Sequence, residues 1–241
     1  MWRMGLWSAF LGGLLMLVGG AQCHAGPWPR GAGAWFVASE FGLNRSAEQR
    51  QLRWQVYLER GLNTDWVLGG KLEQDGGWGD SLRASASELG PRRTGAEVFL
   101  RYHPHPWREA VPWGVELALR ARPPMDEAGR HWQPRAALHL GRGFAMYRLQ
   151  GWTRLSLDAA PGRKGHGRDW GAMAQAGFDF PDKGLMWLSA AVSRTDGTVI
   201  RRVTLQGGYR MSEATTLTLG YSQTFGNWRE QGLRIGLWRE F

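Results

Sequence analysis

The feature that most constrains this chain is alternation. Along most of its 241 residues, apolar side chains recur at every second position, with polar or charged ones between them. The clearest case is the run in which Leu52, Trp54, Val56 and Leu58 alternate with Arg53, Gln55, Tyr57 and Glu59. A period of two puts these sets on opposite faces of an extended strand. Beyond the N-terminal segment, no stretch approaches the roughly 18 apolar residues of a spanning helix. The mean hydropathy of −0.40 excludes a bundle of membrane helices. The pattern therefore predicts an all-β chain whose strands each carry one apolar and one polar face.

Twelve such segments follow in order: Ala34 to Leu43, Leu52 to Glu59, Trp66 to Glu73, Gly95 to His103, Trp113 to Arg120, Arg135 to Leu140, Tyr147 to Asp158, Trp170 to Phe180, Met186 to Val192, Val199 to Tyr209, Leu217 to Tyr221, and Gly232 to Phe241. The connections sort into two kinds. Those after even strands are mostly tight turns at 61–65, 141–144, 181–184 and 211–214. Those after odd strands include Gln74 to Arg93, the segment from 123 to Pro134, and a basic loop at 159–168. Asp196-Gly197 is a hairpin signal. An even strand count returns both termini to one side, and long loops opposite short turns is the asymmetry of an antiparallel transmembrane barrel. Trp66, Tyr102, Trp113, Tyr147, Phe178, Phe180, Tyr209 and Phe241 fall on apolar faces at the short-turn end, as in an interfacial aromatic girdle. A soluble sandwich also alternates, but its apolar faces must pack inward and it has no use for such a girdle.

The N-terminus reads as a secretory signal over residues 1–25. Arg3 supplies the positive start, Leu6 to Val18 the short apolar core, and Ala25 a small residue before a cleavage point ahead of Gly26. Cleavage there removes Cys23, leaving no thiol for disulfides or nucleophilic catalysis. Residues 26–33 form a lead-in with two prolines, and 34–241 form the barrel.

The last strand carries a resemblance. Leu233, Ile235 and Leu237 alternate with Arg234, Gly236 and Trp238, and the sequence ends on Phe241. This ending resembles the C-terminal signal of Gram-negative outer-membrane β-barrels, with Gly236 and Phe241 as the matching residues. Arg239 departs from it, since the pattern prefers an apolar residue there. The resemblance implies residence in the cell outer membrane of a Gram-negative bacterium, with the membrane's lipids and the barrel-assembly machinery as partners. In size and in an arginine-rich interior the chain also resembles the small twelve-stranded channels that pass acidic oligosaccharides.

If apolar faces meet lipid, the opposite faces line a lumen. They carry Arg53, Arg101, Arg120, Arg148, Arg154, Arg202 and Arg234, with Arg135 on the weakest strand, against Glu40, Glu59, Glu97, Glu116 and Asp158. Trp152 points the same way. Arginine facing lipid at mid-membrane costs ~2–4 kcal/mol, so their clustering on one side supports the assignment. An arginine-rich pore attracts anions, so the chain reads as a passive channel for small anionic solutes. Charge pairing that closes the lumen is the alternative, giving a non-conducting structural barrel for envelope assembly or polysaccharide export. A lipid-modifying enzyme is the third reading. It is disfavoured because His139 and Ser156 sit on neighbouring inward faces with no evident third member. The net charge of +9 suits an anionic partner, and the export signal disfavours nucleic acid. No motif calls for a metal or a cofactor, and nothing in the sequence sets an oligomeric state.

Overall fold

Hydrogen-bonded neighbours follow chain order all the way round and then close. In the computed structural model, which describes residues 30–46, 50–77, 93–104, 112–122, 131–147, 149–162, 167–195, 197–226 and 229–241, twelve antiparallel strands form one closed barrel. They are β1 (Trp35–Ser46), β2 (Arg50–Gly61), β3 (Trp66–Gly77), β4 (Arg93–Tyr102), β5 (Trp113–Arg122), β6 (His131–Met146), β7 (Leu149–Ala160), β8 (Asp169–Asp179), β9 (Gly184–Thr195), β10 (Thr198–Arg210), β11 (Thr215–Phe225) and β12 (Glu230–Glu240). Closure is made by β1, where Phe41 opposes Trp54 of β2 on one side and Ile235 of β12 on the other. Trp35 and Phe241 exchange backbone hydrogen bonds of 3.0 and 3.2 Å at the seam. A closed ladder leaves no unpaired strand edge, which is what a sheet in hydrocarbon requires.

The barrel is apolar outside and polar inside. Leu117, Leu219 and Ile235 are 64%, 65% and 52% exposed, whereas Arg101, Glu116 and Glu59 are 3%, 3% and 2% exposed. A soluble domain has the opposite arrangement. This inversion excludes the sandwich and defines a membrane-spanning barrel with its lipid face on the strand residues that carry Leu, Val and Ile. At the end holding both termini, Trp66 and Tyr102 meet with ring centroids 4.7 Å apart, and Tyr209 and Phe241 are exposed.

Several expected boundaries shift. Strand β1 continues to Ser46 and β2 begins at Arg50, each reaching beyond the expected strand ends at Leu43 and Leu52. Gln74 to Gly77 completes β3 and Arg93 opens β4; residues 78–92 of the expected loop lie outside the described residues. Strand β6 spans 131–146, absorbing Pro134 and the expected Gly141-Arg142-Gly143 turn. Tyr147 is a turn residue with φ of 56°, not the start of β7. Arg148, the signal segment 1–25 and Cys23 lie outside the described residues.

Glycine makes the interior possible. A twelve-stranded barrel is narrow, and bulky inward side chains need small neighbours. The Phe99 ring lies across Gly69, where an added Cβ would sit 2.1 Å from its Cζ, and Trp152 lies across Gly177, where a Cβ would come within 2.6 Å. We predict that Gly69→Ala lowers stability by ~1–3 kcal/mol through overpacking, read as a lower urea midpoint of the refolded barrel. The same change in a Phe99→Ala background should cost little. Equal losses in both backgrounds would mean that the ring contact is not the cause.

Candidate functional site

The interior has two unlike walls. From β2 to β6 it is built of ionised side chains. From β8 to β11 it is mostly Ser, Thr and Gln, with Gln175 donating to Ser189 at 2.9 Å. The difference sets where charge can be felt.

On the charged wall, Arg101 is the hub. Its Nη1 donates to Glu59 Oε1 at 2.7 Å. Its Nε and Nη2 both donate to Glu116 Oε2, at 2.9 and 2.7 Å, and Nη2 also reaches the Tyr57 hydroxyl at 3.2 Å. Tyr57 in turn donates to Glu59. Arg135 joins Glu116 at 2.5 Å to Glu97 at 2.8 Å, and Arg120 adds a second bond to Glu97 at 2.6 Å. Two of these links skip a strand. Arg101 on β4 reaches Glu59 on β2 over Gly69 of β3, and Arg135 on β6 reaches Glu97 on β4 over Ala118 of β5. From below, Arg30 donates to Glu59 and to Glu240, each at 3.0 Å, and lies 4.3 Å from the Phe36 ring centroid. The residues just ahead of β1 are thus tied to β12, β1 and β2 at one side of the mouth on the terminal side.

Aromatic rings span the same level. Trp187 meets Trp238 at 4.8 Å, Trp238 meets Phe36 at 6.2 Å, Phe36 meets Tyr57 at 6.2 Å and Tyr57 meets Phe99 at 5.7 Å between centroids. Trp152 and Leu185 pack with Trp187 to complete the group. The arc runs from β9 through β12, β1 and β2 to β4. Gln206 of β10 donates to Glu40 of β1 at 3.3 Å, spanning β11 and β12, and accepts from Trp187 Nε1 at 3.1 Å. Side chains therefore bridge nearby strands along the lumenal wall in this half and narrow it from that side.

The other half holds a looser group of arginines. Arg53 and Arg234 flank Gly42 on one rung of the sheet. Arg53 forms a forked pair with Asp75 at 2.6 and 3.1 Å, and Arg234 binds Glu40 at 3.2 Å. Arg202 forms no ion pair or hydrogen bond among the described residues, and its Nε is buried without a partner. The charges it faces are Arg53 and Arg234 of like sign, and Glu230 and Asp75 of opposite sign.

Arg53, Arg101, Arg120, Arg135, Arg154, Arg202, Arg234, Glu40, Glu59, Glu97, Glu116, Asp158 and Trp152 all occupy inward positions of the alternation. The structure gathers Arg101, Glu59, Glu116, Arg135, Glu97 and Arg120 into one network, and leaves Arg154, Arg202 and Asp158 outside any ion pair among the described residues. Sequence reasoning missed other inward acids. Glu73 pairs with Lys71 at 2.7 Å, Asp75 with Arg53 at 2.6 Å, and Asp179 with Arg210 at 2.5 Å, while Asp169 and Glu230 are buried. Their positions share the parity of the arginines, which was the available signal. With them, the described interior residues show no excess of arginine over acid.

His139 also differs from expectation. Its Nδ1 lies 2.9 Å from Ser156 Oγ, and a third group is present after all, with Glu116 Oε2 3.4 Å from Nε2. Arg154 occupies the same spot, donating to Ser156 Oγ at 2.8 Å with its Nη2 3.2 Å from Nδ1. Ser156 and His139 are buried and inward. An acyl substrate lying in the bilayer reaches the opposite face of β6 and β7.

A closed, twelve-stranded, lipid-facing barrel with a polar interior belongs to the outer-membrane β-barrel class of folds. Among solved structures, the chain is similar to the COG4313 outer membrane channel from Pseudomonas putida F1, at a TM-score of 0.59 and 12% identity, covering 91% of this chain and 100% of that one. It is similar to a KdgM porin at a TM-score of 0.55 and 11% identity, covering 85% of this chain and 99% of that one. An active-site variant of outer membrane phospholipase A from Escherichia coli gives a TM-score of 0.50 at 13% identity, covering 90% and 94%. At such identities the shared property is the fold, which hosts both channels and enzymes. No family model and no curated protein matches the sequence.

Proposed function

We propose that the protein is a narrow channel of the Gram-negative outer membrane that passes small anionic solutes. The observation that carries this reading is Arg202, a lumenal guanidinium without an ion-pair or hydrogen-bond partner among the described residues, its Nε buried and unpartnered, set among Arg53, Arg234, Glu230 and Asp75. Arginine stays charged at any ordinary pH, and an unpaired one in a low-dielectric bore attracts an anion more strongly than one already bonded to a carboxylate. The narrowness follows from the twelve-strand circumference and from the rings and the Glu40–Gln206 contact that line the wall in the other half. Its partners on this reading are the outer-membrane lipids, the barrel-assembly machinery and the anion itself.

A second reading is a non-conducting structural barrel, favoured by the Arg101 network and the aromatic arc. A planar bilayer under a salt gradient separates the two. The channel should give a reversal potential directed toward anions, and Arg202→Glu should move it toward cations. Conductance with a reversal potential unaltered by Arg202→Glu would remove this residue from the path. No conductance at all would leave the structural barrel.

A further inference from the structure

The outside of the barrel has its own charge pattern. None of the described strands carries a carboxylate on its outward face. The outward charges are all arginines, and all lie near strand ends: Arg60, Arg142 and Arg239 on the side of the termini, Arg45, Arg50, Arg194 and Arg201 on the other. On the terminal side, Arg60 lies 5.0 Å from the Trp35 ring centroid and Arg239 lies 4.8 Å from that of Phe241. On the other rim, none of the four makes a ring contact, ion pair or hydrogen bond with a described residue. That rim is the extracellular one if the termini are periplasmic, as in bacterial single-chain barrels.

One of these arginines lines a hollow. Gly197, Thr198, Val199, Arg201, Phe225 and Gly226 line an open hollow of about 320 Å³ at the rim between β10 and β11. Val199, Arg201 and Phe225 share the outward parity of Val203, Leu205 and Tyr221, so the hollow opens toward lipid. Arg201 stands opposite Phe225 in register, and Arg194 stands opposite Val199 on the next strand. Val199 and Phe225 offer an apolar floor, Arg201 a fork of donors above it, and Arg194 a second positive charge a diagonal step away.

We infer that this hollow is a lipid site, which takes a phosphorylated acyl lipid of the outer leaflet with the phosphate on Arg201 and the adjoining chain against Val199 and Phe225. The charge argument is complementarity: an arginine-only lipid face attracts anionic headgroups, and guanidinium binds phosphate through two parallel bonds. The apolar floor distinguishes a lipid from free phosphate. The site faces away from the lumen, so it stands whether or not the barrel conducts.

Native mass spectrometry of the full mature protein, refolded in detergent and titrated with diphosphorylated lipid A, tests this. One lipid should bind, and Arg201→Ala should weaken it about fivefold. Phe225→Ala should weaken it too, Arg201→Lys should keep part of the affinity, and Arg60→Ala on the opposite rim should leave it unchanged. Dephosphorylated lipid A should bind poorly, and inorganic phosphate should not compete. Should Arg201→Ala fail to give the heat-modifiable folded band on a gel, Arg201→Lys and Phe225→Ala decide. The proposal is overturned if these variants bind as wild type does, if Arg60→Ala weakens binding equally, if removing the phosphates changes nothing, or if inorganic phosphate displaces the lipid.

Discussion

Arg101→Met will unseat the barrel's most connected side chain and leave a protein that unfolds far more readily. Two buried carboxylates depend on this guanidinium. Glu59 would retain only Arg30 and Tyr57, and Glu116 only Arg135 and the distant His139. Removing one partner of a buried pair is costly, ~3–5 kcal/mol, because a charge stays behind in low dielectric. Replacing a whole buried cluster with neutral groups is often nearly neutral. The triple variant Arg101→Met, Glu59→Gln, Glu116→Gln should therefore regain part of the loss. Urea unfolding of refolded protein, followed by tryptophan fluorescence, reads both. If Arg101→Met unfolds at the wild-type midpoint, the network contributes no stability; if the triple variant is weaker still, the loss comes from packing instead of from stranded charge.

Removing Phe241 is expected to have the other large effect, on assembly. The residue donates its N–H to the Trp35 carbonyl and accepts from the Trp35 N–H, closing the last rung between β12 and β1. It also stacks with Arg239. The shortened protein should be exported yet accumulate outside the outer-membrane fraction, with a several-fold lower yield of the heat-modifiable form. The conservative Phe241→Trp should restore that yield. Wild-type amounts of folded, membrane-embedded protein without Phe241 would show that neither the bonds nor the aromatic ring is needed.

The wall of this barrel was legible in the sequence because one face of every strand has to meet hydrocarbon. Alternation therefore survives even where single residues vary, as on β2 and β10. Strand β6 was the exception, and the reason is physical. Pro134 and the Gly141 to Gly143 stretch are turn signals when read locally, but both lie inside the paired ladder, Pro134 opposite Leu119 and Gly143 opposite Trp152. A glycine that breaks a strand and a glycine that makes room look the same in one dimension. The interior was less legible still. Parity places Arg101 and Glu59 inside, yet the residues directly beside them on β3 are Val67 and Gly69. Their pairing depends on strand tilt and on the gap above Gly69. Asp75 and Glu230 were missed because strand ends extend beyond the obvious apolar run, and Arg202 was named without any sign that it would lack both a carboxylate and a hydrogen-bond partner among the described residues.

The matching of large inward side chains with glycines separates two properties that are usually treated as one. Circumference is a matter of strand number and stagger, and here twelve paired strands set it through backbone bonds alone. Aperture is a matter of side chains. Trimming Phe99, Trp152, Trp187 or Trp238 would alter no rung of the ladder, while adding a methyl to Gly69 or Gly177 would press on the filling from behind. The gauge of this tube can thus drift by substitution over a wall that stays constant. Related sequences could keep one scaffold while ranging from a sealed plug to an open sieve, with no insertion, no lost strand and no change in the surface shown to the membrane.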